Sequence, residues 1–99
     1  MANAKLDTDE VARRLIGAPG WKLHSGKLHR EYKFADFVEA FGFMASVALV
    51  AERMNHHPEW QNVYSTVVVE LTTHDSGGIT PKDFELAAAM DRLAGARTK

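Results

Sequence analysis

Residues 36–54, "DFVEAFGFMASVALVAERM", give the strongest helical signal in the chain. At about 100° per residue, the apolar side chains form two stripes, one of Phe37, Phe41, Met44, Ala48 and Ala51 and one of Phe43, Val47, Val50 and Met54. The polar side is narrow and consists of Glu39, Gly42, Ser46 and Arg53. A helix this apolar is either buried on most sides or covered by a partner chain. Since 99 residues provide little material to cover it twice, we expect an oligomer.

The composition is typical of one small globular domain spanning residues 1–99. The net charge is −1 and the basic residues are scattered, so neither direct nucleic-acid binding nor membrane-surface binding is expected. The lack of cysteine excludes disulfides, a thiolate nucleophile and any cysteine-based metal site. No apolar run approaches the roughly 20 residues of a membrane span, and the N-terminal residues lack the apolar core of a secretory signal. We therefore expect a soluble, cytoplasmic protein.

The remaining segments predict the order α-β-β-α-β-β-α. Asp7 or Thr8 begins a short helix, and residues 21–34 form a hairpin with Ser25-Gly26 at its turn. Residues 63–74 are rich in β-branched side chains, enough for one long strand or for two with a bend. Thr80-Pro81 begins the last helix. Two strand pairs separated by a helix indicate an α+β fold, with a four-stranded antiparallel sheet and helices packed on one face.

Three histidines are the candidates for chemistry. His56 and His57 follow the long helix directly, and His74 is expected to end a strand just before a glycine-rich loop. Imidazole can donate or accept a proton near neutral pH. The alternative is structural: a polar helix exit before Pro58, and an ordinary residue at a strand end. Three histidines together, with Glu52 one turn before His56, favour a site.

Other polar and aromatic residues nearby have both structural and functional interpretations. Glu52 would be a surface acid, or it would orient His56 at position i+4. Asp83 nearly completes a capping box with Thr80, a role compatible with a place in the site. Trp60 could line an aromatic slot or belong to the core, whereas Tyr64 is expected in the core.

Two other reaction classes fit the pattern poorly. Adjacent histidines are not the i, i+4 pair that points two imidazoles at one metal ion, and an HExxH motif is absent. A nucleophile-elbow sequence is absent as well, which disfavours acyl transfer by a serine hydrolase. A metal-free site that performs proton transfer with several imidazoles remains, and such a site suits an elimination or a tautomerisation.

The spacing of these residues resembles the signature of the pterin-4a-carbinolamine dehydratases. The matching positions, in chain order, are Glu52, His56-His57-Pro58, Tyr64, His74 and Asp83. The similarity continues through "HHPEWQNVY" and "THDSGGIT" and covers essentially the whole chain. It implies a four-stranded antiparallel sheet with helices on one side. It also implies a homodimer or homotetramer, in which sheet edges join and the long helices pack together.

The reaction implied by the resemblance is loss of water from a 4a-hydroxytetrahydropterin, giving the quinonoid dihydropterin without cofactor or metal. That substrate is left when an aromatic amino acid hydroxylase has used its tetrahydropterin, so a hydroxylase is a possible partner. The resemblance implies catalytic roles for His56, His57 and His74, with His74 and His56 expected to transfer protons and His57 to orient the ring. It places Glu52, Asn55, Pro58, Trp60 and Asp83 in substrate binding.

Two departures and two alternatives accompany the resemblance. Some members have Asp where this chain has Asn55, and animal members tend to have Glu at the position of Asp75. Animal members also serve as dimerisation cofactors of a homeodomain transcription factor, so a protein-binding role of helix 36–54 is an alternative. A non-catalytic pterin-binding scaffold is another. Neither alternative requires all three imidazoles.

Overall fold

The computed structural model describes residues 4–95 and contains a four-stranded sheet and three α-helices. In chain order the elements are α1 (Thr8–Ile16), β1 (Lys22–His24), β2 (Lys27–Lys33), α2 (Phe37–Met54), β3 (Glu59–Val63), β4 (Thr66–Leu71) and α3 (Pro81–Gly95). A short 3₁₀ turn at His74–Ser76 lies between β4 and α3. The predicted order and the α+β class are confirmed.

All neighbouring strands of the sheet are antiparallel, in the spatial order β1-β2-β4-β3. One face is buried against the helices: Leu28 and Tyr32 of β2 lie in the same core as Val67 and Val69 of β4. The helices contribute Phe43 and Val47 of α2 and Leu86 and Met90 of α3 to that core. The opposite face carries half-buried or exposed polar side chains, including His29 and Glu70. The predicted packing of helices on one face of the sheet is therefore confirmed.

The second strand pair does not have the expected boundaries. β3 begins at Glu59 and ends at Val63, and Tyr64 and Ser65 form the turn to β4. Tyr64 has a positive φ of 52° and is 64% exposed, so its expected place in the core is wrong. The polar sequence "EWQN" lacks a clear apolar alternation because β3 is an edge strand that is nowhere fully buried.

The two stripes of α2 have different environments. Phe43 and Val47 are fully buried against the sheet. Phe37 and Phe41 remain 48% and 58% exposed, and Val38 and Leu49 beside them are more exposed still. The chain by itself thus leaves one apolar side of α2 uncovered, a face of Phe37, Val38, Phe41, Ala45, Ala48 and Leu49.

A polar cluster joins α3 to the first hairpin. The Asp91 carboxylate accepts hydrogen bonds from Trp21 Nε1 at 3.1 Å, Arg30 at 3.0 Å and the Tyr32 hydroxyl at 2.5 Å. Burial, followed by the hydrogen bond to Asp91, raises the pKa of the Tyr32 phenol well above its ordinary value. Tyr32 therefore stays a hydrogen-bond donor to Asp91 around neutral pH. Across residues 4–95, no helix has the length and apolarity to cross a membrane.

Candidate functional site

A cleft of about 330 Å³ opens where the C-terminal end of α2 meets the loop that follows β4. The lining residues are Asn55, His56, His57, Thr72, Thr73, His74, Asp75, Ser76 and Lys82. The structure thus brings the three candidate histidines to one cavity, although they are up to 18 residues apart in sequence. His74 lies at the start of the 3₁₀ turn rather than at the end of a strand, because β4 stops at Leu71.

Asn55 explains how two adjacent histidines both reach the cleft. It ends α2 in the left-handed conformation, with φ 54° and ψ 45°. The His56 N–H donates to the Ala51 carbonyl and the Asn55 N–H to the Glu52 carbonyl, the bond pattern of a Schellman cap. Asparagine tolerates this backbone conformation better than most residues. The chain therefore bends at Asn55, one residue before the histidine pair, and the two imidazoles leave the helix in different directions.

His56 points inward and pairs with Asp83. Its Nε2 lies 2.6 Å from Asp83 Oδ1, and the two residues are 8% and 0% exposed. The second carboxylate oxygen of Asp83 accepts from the Thr73 hydroxyl at 2.8 Å and from the Thr80 N–H at 2.9 Å. Asp83 therefore caps α3 and holds His56 at once, so every oxygen of this buried carboxylate has a donor.

Glu52 contacts His57 instead of His56. Its Oε1 lies 3.0 Å from His57 Nε2, and both side chains are exposed. The expectation that Glu52 orients His56 assumed that the helix continues to residue 56. The left-handed Asn55 ends the helix before residue 56, so His56 does not lie one helical turn beyond Glu52. His57 contacts Glu52 instead.

His74 has a carboxylate partner that the sequence did not reveal. Its Nε2 lies 2.6 Å from Glu59 Oε2, while Glu59 Oε1 accepts from Lys27 Nζ at 2.5 Å. The Lys27 ammonium, and then His74, hold the pKa of the Glu59 carboxyl below its usual range. Glu59 was missed because the strand that carries it was expected to begin only at Val63. Its place beside Pro58 and Trp60 in "HHPEW" was the one available signal.

Four of the five proposed binding residues do not line the cleft: Glu52, Pro58, Trp60 and Asp83. Glu52 and Asp83 instead contact the lining residues His57 and His56. Trp60 lies on β3 opposite the buried Val69 and packs against the core, which agrees with the core interpretation; it also borders a separate groove together with His29, Glu59 and Glu70. Pro58 is half-buried in the connection between the histidine pair and β3. Lys82, which the sequence did not single out, lines the cleft and donates from Nζ to the Met54 carbonyl at 3.3 Å. It thereby ties the end of α2 to the start of α3.

The arrangement provides three imidazoles around one cavity, each hydrogen-bonded to a carboxylate. A carboxylate beside an imidazole fixes the ring and compensates the charge that the ring acquires when it takes up a proton. One pair is buried and two are open to water. The cleft can therefore hold a small polar molecule and move protons to and from it near neutral pH.

Comparison with known proteins gives a consistent picture. The family described as "Pterin 4 alpha carbinolamine dehydratase" matches residues 4–93. A protein of Solibacter usitatus is 60% identical over 90 residues, which cover 91% of this chain and 95% of that protein. A protein of Rhizobium etli is 46% identical over the full length of both chains. Both bear the name "Putative pterin-4-alpha-carbinolamine dehydratase".

Two solved structures have the same fold. The crystal structure of a transcriptional coactivator/pterin dehydratase from Brucella melitensis superimposes with a TM-score of 0.89 at 43% identity, covering 92% of this chain and 99% of that one. A pterin dehydratase-like protein, identified as a RuBisCO assembly factor in the alpha-carboxysome, gives a TM-score of 0.66 at 22% identity. It covers 77% of this chain and 90% of its own. At that identity, the second match concerns the fold alone.

Proposed function

This chain belongs to the pterin 4 alpha carbinolamine dehydratase family, and we propose that it is a hydro-lyase that removes water from a 4a-hydroxytetrahydropterin. The product is the quinonoid dihydropterin. The reaction needs no electrons from a cofactor, because substrate and product differ only by one molecule of water. We place it in the recycling of tetrahydrobiopterin, downstream of an aromatic amino acid hydroxylase.

The observation that carries this proposal is the meeting of His56, His57 and His74 at one cleft of about 330 Å³, each with its own carboxylate. Dehydration requires one proton to be given to the departing hydroxyl and another to be taken from a ring nitrogen. Positioned acids and bases typically accelerate such steps by about 10²–10⁴-fold. A cleft with several imidazoles supplies both groups near neutral pH.

We assign proton transfer to His74 and His56. The acid protonates the 4a-hydroxyl, the C4a–O bond breaks, and water leaves with that bonding pair. The base then takes a proton from a ring nitrogen, whose electron pair completes the quinonoid double bond. His56 is supported for one role because the buried Asp83 fixes its ring and compensates a positive charge there. His74 is supported for the other because it is exposed at the cleft and paired with Glu59.

The remaining proposed residues bind or orient the ring. His57, held by Glu52, would contact the pterin edge, and Asn55 beside it offers an uncharged amide at the cleft. Pro58 would limit the cleft on the side of β3. Trp60 would act indirectly by supporting β3 from the core, since it packs there and does not line the cleft.

A dehydration assay tests the proposal. A hydroxylase generates the 4a-hydroxypterin in situ, and its decay is followed by ultraviolet absorbance with and without the protein. The His74→Ala variant runs in parallel, with His24→Ala as a matched histidine outside the cleft. Wild type and His24→Ala should accelerate the decay, whereas His74→Ala should lose at least 100-fold of that acceleration. A folded wild-type protein that leaves the decay unchanged would overturn the proposal.

We further propose that the chain forms a homodimer or homotetramer through α2 and the sheet edges. The apolar face of α2 supports this, because Phe37, Phe41 and Leu49 are about half exposed or more. Phe41→Glu should lower the solution mass measured by light scattering and leave the far-ultraviolet circular dichroism unchanged. An unchanged mass would instead support the second candidate, in which this face binds a different protein.

The setting of the reaction is also a proposal. We take residues 1–99 as one domain that acts in the cytoplasm, supported by the lack of cysteine and by the family match over residues 4–93. A hydroxylase is the partner whose product this cleft would consume.

A further inference from the structure

Two histidines and a glutamate converge on the outer face of the sheet, outside the lining of the cleft. His29 Nδ1 lies 3.1 Å and His24 Nδ1 lies 3.4 Å from the same atom, Glu70 Oε2. One ligand atom from each residue can be chosen so that all three lie within 4.8 Å of one another. Ligands of a tetrahedral zinc ion, with bonds of about 2.0–2.1 Å, are separated by roughly 3.4 Å. Small side-chain rotations therefore suffice to place one ion between them.

The backbone holds these three side chains in place. His29 and Glu70 are direct partners across β2 and β4, and His24 lies on β1 at the other side of the tight Ser25-Gly26 turn. The imidazole centroids of His24 and His29 are 5.2 Å apart. Because the site is built on paired strands, binding an ion requires little ordering of the chain.

The local charges permit a cation. Glu70 brings a carboxylate to the site, and the Nδ1 atoms of both histidines lie within 3.4 Å of its Oε2. The Lys27 ammonium is paired with Glu59, and Lys22, opposite His29 across the strands, is exposed and can extend into water. Two imidazoles and one carboxylate form a donor set suited to zinc and similar transition-metal ions.

From this geometry we propose that His24, His29 and Glu70 form a site for one divalent transition-metal ion, with Zn²⁺ as the reference ion. Each imidazole gives the Nδ1 lone pair to the ion and carries its proton on Nε2 instead. The Glu70 carboxylate supplies the third ligand, and water completes the tetrahedron, since the site is open to solvent. The ion would clamp the β1–β2 hairpin to β4. The proposal is independent of the dehydratase reaction.

The test titrates ZnCl₂ into the full chain, produced without a histidine tag, and follows heat and the histidine ring signals by NMR. We expect one saturable equivalent that shifts the signals of His24 and His29 before those of His57 and His74. His24→Gln and Glu70→Gln should each weaken the binding at least about tenfold. Zn²⁺ should also raise the Tm of the wild type, and His24→Gln should abolish that increase.

His57→Gln is the matched control, because it removes an exposed imidazole from the cleft instead of the sheet. It should bind Zn²⁺ as tightly as the wild type. Binding that survives His24→Gln and Glu70→Gln unchanged would overturn the proposal, and so would binding that His57→Gln abolishes. A wild type without saturable binding would overturn it as well. Circular dichroism of Glu70→Gln, which retains the side-chain shape, separates lost ligation from lost folding.

Discussion

Asp83 and Asp91 lie about two turns apart on α3, and both collect hydrogen bonds from distant parts of the chain. Asp83 is fully buried, and its donors are the Thr80 N–H, the Thr73 hydroxyl and the ring of His56. Asp91 is one-third exposed, and its donors come from Trp21, Arg30 and Tyr32. Each carboxylate joins α3 to other parts of the chain, so the two clusters have the same general arrangement of donors around one acceptor.

The difference lies in what the donors can do. Indole, guanidinium and the Tyr32 phenol all keep their protons near neutral pH, so the Asp91 cluster has a fixed protonation state. The third donor to Asp83 is an imidazole, the side chain that most often acts as an acid or base in catalysis, and this residue, His56, borders the cleft. The comparison teaches that a buried carboxylate indicates a site only when one of its partners can exchange a proton with a cavity.

The largest expected effect is on folding. Asp83→Ala removes a fully buried carboxylate and leaves His56, Thr73 and the Thr80 N–H without their acceptor. Breaking a buried charged pair costs about 3–5 kcal/mol, so the urea midpoint should fall steeply. Asp91→Ala is the control and should cost about 1–3 kcal/mol, because water can reach its donors. If Asp91→Ala proves the more costly change, the contrast between the two clusters fails.

Tyr32→Phe tests the other side of the comparison. It removes one donor to Asp91 and keeps the aromatic ring, which packs on Phe43 with 4.8 Å between centroids. Asp91 retains Trp21 and Arg30, so we expect a loss of about 1–2 kcal/mol in the free energy of unfolding. The dehydration rate per folded molecule should stay within about twofold. A large loss of rate would link the Asp91 cluster to the cleft.

Glu59→Gln tests an exposed histidine–carboxylate pair against the buried one. The change removes the charge that faces His74 but keeps a hydrogen-bonding side chain. Exposed pairs are worth up to about 1 kcal/mol, so the dehydration rate should fall by at most about fivefold. Glu31→Gln, at an exposed position of β2 away from the cleft, should leave the rate unchanged. Equal rates in both variants would mean that Glu59 does not contribute to the reaction through His74.

The smallest effect concerns the titration of Glu59. Its lowered pKa means that the folded state holds this carboxylate ionised more firmly than the unfolded state does. The resulting stabilisation is present above the unfolded pKa and is lost as the pH falls through the folded pKa. Lys27→Met removes the first cause of the shift, so the Glu59 carboxyl signal should titrate at higher pH in ¹³C NMR. An unchanged midpoint would mean that Lys27 does not hold this carboxylate.

The sequence predicted those parts of the fold that depend on periodicity. The β-branched segments and the hairpin turn predicted the sheet, and the apolar stripes of α2 predicted a helix with more apolar surface than one chain covers. β3 was misplaced because an edge strand with few buried residues carries no such period. Its misplacement also hid Glu59.

The sequence linked the histidines and Asp83 to one another but did not predict which carboxylate pairs with which imidazole. His56, His57, His74 and Asp83 are linked by spacing to a resemblance, and the structure brings them together. Which carboxylate meets which imidazole depends on the left-handed Asn55, a single backbone conformation that redirects both adjacent histidines. Helical spacing predicted a contact between Glu52 and His56. That prediction was wrong because no local sequence pattern locates the end of a helix to within one residue.

The most direct test of the central claim compares Asp83→Asn with Asp91→Asn in the dehydration assay, with rates normalised to folded protein. Both variants replace a carboxylate by an amide of the same shape on the same helix. The account predicts that Asp83→Asn loses at least about 100-fold in rate, because His56 can no longer be charge-compensated, and that Asp91→Asn stays within about threefold. Equal losses in the two variants, or no loss in Asp83→Asn, would contradict it.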